Sequence, residues 1–180
     1  MTPNLNLRDP AFVGVAGKIA PATEFWSMGQ GSYETLENTD GISTNKFVSN
    51  ADVIGETVTK ITISLRLVGT VTNKIITAYI WDAGSNPNSP DATSTNTLNT
   101  NTMPTDASFN DYEFLFAGRA IAANAHIGFN LPITFDFSNR VDYGTNFPKV
   151  DTDGTTNDVK NPSADSWNNR TMVVAMGVYG

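Results

Sequence analysis

The chemistry-bearing residues of this 180-residue chain are few and widely spaced. Asp151-Thr152-Asp153-Gly154-Thr155-Thr156-Asn157-Asp158 alternates oxygen-bearing side chains around a glycine turn, as calcium loops do. Asp151, Asp153 and Asp158 are its candidate ligands for a structural Ca2+. The run departs from the EF-hand, because glycine stands fourth rather than sixth and Pro162 replaces the bidentate glutamate. An Asx-rich turn that binds no metal accounts for the same residues.

His126 is the single histidine and falls on the strand face opposite Ile127 and Phe129, which predicts a surface or loop-facing position. One histidine and no cysteine exclude His-rich and Cys-ligated zinc sites. A Ser-His-Asp triad would have to use His126 without any G-x-S-x-G turn. Neither glycine-rich phosphate motif occurs. Glycoside cleavage needs only two carboxylates brought together. Of the five glutamates, Glu24, Glu34 and Glu37 lie in an irregular N-terminal region and Glu113 points outward from a strand, with Glu56 the fifth. Solvated charge accounts for each, so the expectation is a protein that is not an enzyme.

Of the tryptophans Trp26, Trp81 and Trp167, two suit ligand contact. Exposed indole faces stack on sugar rings while nearby Asn and Asp supply hydrogen bonds. Trp81 ends an apolar strand and Trp167 precedes another, which makes them candidate glycan contacts. Packing at a sandwich edge is the competing account.

The elements that must position these residues read as β. Asparagine (20) and threonine (23) outnumber the eleven basic and eighteen acidic residues together. Threonine suits the outer face of strands and asparagine suits turns. A net charge of −7 and a pI near 4.5 argue against binding nucleic acid, which needs clustered Lys and Arg. No segment approaches the ~20 apolar residues of a membrane span.

Period-2 alternation starts beyond residue 41. In TVTKITISLRLVG, Ile61, Ile63, Leu65 and Leu67 oppose Thr62, Ser64 and Arg66. NKIITAYIWD then alternates Ile76, Ala78 and Ile80 against Thr77, Tyr79 and Trp81, and the two segments predict a hairpin. Further strands are expected at DYEFLFAG, NAHIGFNLP, PITFDFS and RTMVVAMGVYG, with Met172, Val174, Met176 and Val178 on one side of the last. KFVS is a weaker candidate, and Ala92 to Leu98 could form an edge strand. Two long polar stretches, one on either side of the aromatic strands, read as loops. The pattern predicts an all-β fold, a two-sheet antiparallel β-sandwich of jelly-roll type, over residues 42–180.

Residues 1–41 are broken every few positions by proline or glycine, yet carry Phe12, Val13, Ile19, Phe25, Trp26 and Tyr33. That much apolar surface predicts an extended assembly arm packed on its own domain or on a neighbouring copy. At ~3.3 Å per residue such an arm could reach well beyond one domain.

The order of these pieces resembles the jelly-roll domains called choice-of-anchor domains in bacterial surface proteins, with similar modules in virion proteins of tailed phages. The stretches that carry the resemblance are VTKITISLRLVGTVTNKIITAYIWDAGSNPNSPDATST, YEFLFAG, AIAANAHIGFNLP and SWNNRTMVVAMGVYG. Neither a sorting segment after Gly180 nor a secretory leader is evident. A virion protein, which assembles in the cytoplasm and leaves by lysis, needs neither. The resemblance thus implies a non-enzymatic structural subunit on the exterior of a capsid or tail, for decoration, cementing or as part of a fibre. Its partners would be other copies of itself, as a trimer or larger ring, and a capsid or tail protein, with no nucleic acid or membrane. The alternative is an extracellular carbohydrate-binding module or adhesin domain that contacts host surface glycans.

Overall fold

A computed structural model describes residues 21–35, 41–47, 51–131, 136–146, 157–160, 168–170 and 172–180. Their strands run, in chain order, β1 (Glu24–Ser27), β2 (Ser32–Thr35), β3 (Gly41–Phe47), β4 (Thr57–Val68) and β5 (Ile75–Trp81). The two-residue strands β6 (Ala92–Thr93) and β7 (Leu98–Asn99) and a short 3-10 turn lead to β8 (Asn110–Ala120) and β9 (Ala125–Leu131). There follow β10 (Arg140–Asn146), β11 (Asn157–Lys160), β12 (Asn168–Arg170), β13 (Val173–Val174) and β14 (Met176–Tyr179). Among the described residues no helix is long and apolar enough to cross a membrane.

These strands form two antiparallel sheets. The first has the order β1-β14-β4-β10-β13, with β2 added to β10 and β8 to β4. The second has the order β12-β11-β3-β9-β5-β6, with β7 added to β5. The all-β, two-sheet antiparallel sandwich expected from the alternation is therefore present, and successive strands β3, β4 and β5 change sheet, consistent with a jelly roll.

Period-2 patterning places the core between the sheets. Ile61, Ile63 and Leu65 of β4 are fully buried, as are Ile76, Ala78 and Ile80 of β5 and Ala125, Ile127 and Phe129 of β9. Each large side chain buried this way contributes about 1.5–3 kcal/mol. Edge-to-face ring pairs cross the core: Trp26 on Phe47 at 5.1 Å, and Phe129 on Tyr143 at 5.6 Å. Asn45 also ties the sheets together, its side chain bonding both the amide and the carbonyl of Val174.

Several expectations are corrected. β4 and β5 are not a hairpin: β4 pairs with β8, β14 and β10, whereas β5 pairs with β9. Their apolar faces meet across the core, and the connection turns at Gly69, whose φ of +69° disfavours β-branched side chains and where a Cβ would strike the Ser138 carbonyl. β10 lies where the sequence reads as polar loop, because its outward residues, Asp142 and Gly144, are not apolar although both are buried. Of the stretch PITFDFS, residues 132–135 lie outside the described residues, whereas 137–139 form a bend before β10 and Phe137 is 80% exposed, the Asp136 carboxylate accepting bonds from the Ser138 amide and the Asn139 side chain. The C-terminal strand breaks at Ala175, so that Val173 as well as Val174 is buried.

The assembly arm is corrected over its second half. β1 pairs with β14, and β2 pairs with β10, so both are strands of this chain's own first sheet. Trp26 and Met28 are buried in the core and Phe25 packs against it. Tyr33 remains 48% exposed but rests on Arg66 of the same sheet. Phe12, Val13 and Ile19 lie outside the described residues.

Candidate functional site

The expected sugar contact at Trp81 is not available. Its side chain has no exposed surface, because residues 82–91 fold over the outer face of the second sheet and the indole Nε1 donates to the Pro87 carbonyl at 3.1 Å. Tyr79 stacks obliquely beside it at 5.5 Å. The covering segment is tied to itself by Asp91, which accepts from the Ser85 hydroxyl and the Asp82 amide, and these bonds hold the Asp91 carboxyl below the usual carboxylate range. Trp167, Asp151 and Asp153 lie outside the described residues. Asp158 sits in β11, in register with Thr44 of β3. Among the described residues no group of three acidic or histidine side chains is placed to hold a metal.

His126 is also buried, not surface-facing, with 5% exposure. It occupies the outer face of the second sheet between Lys46 and Trp81 in register, and its Nδ1 lies 3.3 Å from the Thr44 hydroxyl. Burial, reinforced by the Lys46 charge, pushes the imidazole down to about 4. A neutral, enclosed ring of this kind is a packing group at physiological pH.

The outer face of the first sheet offers a different arrangement. β4 has small polar residues, Thr62 and Ser64, on the face opposite its apolar one, and β14 contributes Gly177 beside Thr62 in register. Ala175 stands where β4 and β10 diverge; its amide donates to the Gly144 carbonyl and its carbonyl accepts from the Ser64 amide. The floor therefore consists of hydroxyls and residues with little or no side chain. Above it opens a cleft of about 400 Å3, within the ~300–1,000 Å3 range of small-molecule sites. Met28, Gly29 and Gln30 also line it, as do Phe109 and Asp111.

Aromatic rings stand at its two ends. Tyr179 lies at one, with Lys60 Nζ 4.6 Å from its ring centre. Gly177 makes this placement possible: a Cβ there would stand 2.5 Å from Tyr179 Oη and 2.8 Å from Thr62 Oγ1. Phe109 lies at the other end, and behind it, outside the cleft lining, Tyr33 stands 6.1 Å away; both rings pack against the Arg66 guanidinium, Tyr33 at 3.9 Å and Phe109 at 4.8 Å. Arg66 is held in turn by Asp142, which is fully buried and also receives Arg140 Nε at 2.8 Å and the Thr35 hydroxyl. A buried ionic base thus fixes two rings that come from separate parts of the chain.

Sequence reasoning passed over Gln30, Phe109, Asp111 and Tyr179, and assigned Tyr33 to assembly. The signal that bore on them was the small polar face of a strand whose other face is wholly apolar: Thr62 and Ser64 leave room that a solvent-facing strand does not need. The arrangement suits noncovalent recognition of a flat, hydroxyl-rich ligand, with ring faces for its apolar surface and neutral groups for its hydroxyls. Compared with protein-family models, curated proteins and solved structures, the chain has no significant match.

Proposed function

We propose that this protein is a carbohydrate-binding module whose ligand lies in the outer-face cleft of the first sheet and is bound without turnover. The observation that carries the reading is the combination of Tyr179 and Phe109 at the two ends with a floor of hydroxyls and small residues. Sugar rings present apolar C–H faces and outward hydroxyls, the complement of such a surface. Among the described residues that line the cleft Asp111 is the one carboxylate, whereas glycoside cleavage uses a pair. The reading of an arm-linked virion subunit has less support, because Phe25 and Trp26 are spent on the protein's own fold.

The test is affinity electrophoresis and calorimetry against a panel of soluble polysaccharides. The wild type is expected to bind at least one of them, and Tyr179→Ala to weaken that binding by about tenfold or more, about 1.4 kcal/mol. Trp81→Phe, which alters the opposite sheet, serves as the control and keeps the affinity. Failure to bind any member of the panel, or indifference to Tyr179→Ala, overturns the proposal.

A further inference from the structure

Resting on that reading of the cleft, we propose that its ligand is a neutral glycan and that Asp111 sets this preference. Among the described residues that line the cleft there is no Lys, Arg or His, and Asp111 is the one charge. The cations that border it are committed elsewhere. Lys60 Nζ is 2.8 Å from Glu113 Oε1, and Arg66 and Arg140 share the buried carboxylate of Asp142. Asp111 is exposed, and its carboxylate makes no side-chain hydrogen bond or ion pair among the described residues. It stands opposite Ser64 in register, with Gln30 also at the cleft.

A free carboxylate accepts two hydroxyl protons at once, which suits adjacent hydroxyls on a sugar ring, and such charge-assisted bonds are the stronger kind. A uronate, sialate or sulfate placed there would meet a like charge with no cation among the described lining residues to offset it. The net charge of −7 adds long-range repulsion toward acidic polymers. Gln30, Ser64 and Thr62 supply neutral donors and acceptors, so a hexose hydroxyl can be satisfied in either sense.

The experiment compares wild type, Asp111→Asn and Tyr179→Ala on neutral hexose oligomers, on galacturonan and sialylated oligosaccharides, and on an amine-bearing glucosamine polymer. Calorimetry is expected to show binding to neutral oligomers only, weakened about tenfold or more by Asp111→Asn. The melting temperature of Asp111→Asn should match wild type, because the side chain is exposed. Binding confined to acidic or amine-bearing sugars overturns the neutral assignment while leaving the cleft a sugar site. Loss with Tyr179→Ala but not with Asp111→Asn removes Asp111 from the role and likewise spares the broader reading. Absence of binding to every sugar overturns both.

Discussion

Arg66 Nη2 lies 2.7 Å from Oδ2 of Asp142, a carboxylate with no solvent exposure on the outer face of a sheet. Outer faces are ordinarily wet. Here the carboxylate is covered by two arginines and Thr35, and one of those arginines supports the rings of Tyr33 and Phe109.

Asp142→Asn removes the counter-charge from two guanidinium groups whose side chains are only 18% exposed. Breaking a buried pair by deleting one partner costs about 3–5 kcal/mol. Urea denaturation is expected to show a loss of that order with an unchanged slope. A loss well below 1 kcal/mol would mean that solvent reaches the two arginines after all.

His126 predicts a pH dependence of known sign. Its folded-state value is lowered to about 4, against about 6.5 in the unfolded chain. Between those values the unfolded chain takes up a proton that the folded chain refuses, so stability falls as pH drops through this window and levels off below it. The full effect is roughly 3 kcal/mol. His126→Gln should flatten the stability profile from neutrality down to about pH 4, relative to wild type. Asp91, Asp106 and Asp136, each lowered by its hydrogen bonds, titrate alike in both proteins and cancel in the comparison. As the single histidine, His126 also gives one ring resonance whose titration midpoint reads the value directly.

Removal of residues 1–35 is expected to abolish cooperative thermal unfolding. It takes away β1 and β2, exposes the edges of β14 and β10, and strips Trp26 and Met28 from the core. Removal of residues 1–20 alone spares every pairing described above and is the matched control. A sharp melting transition in the shorter chain would show that the first two strands are dispensable.

The legible part of this protein was the part governed by period 2. Ile61, Ile63 and Leu65 announce a strand with one buried face whatever lies across from them, as do Ala125, Ile127 and Phe129, and a chain built of such segments has to form stacked sheets. β10 was illegible because its outward Asp142 is buried by arginines from β4 and from β10 itself, a neutralisation that alternation does not encode. The candidate cleft was half legible, through the small outward residues of β4.

By itself the sequence determined fold class, acidity and the positions of β4, β5, β8 and β9, since these follow from side-chain type and local spacing. Only the tertiary structure decided that Trp81 is covered by residues 82–91, and that Trp26 belongs to the core and not to a free arm. It also brought Phe109 and Tyr179 to one cleft, with Tyr33 packed behind Phe109. The physical reason is that exposure and neighbourhood are set by which strands pair and which segments fold back over them. Those pairings join residues more than a hundred positions apart, as with Tyr33 opposite Gly144, and no local pattern carries that information.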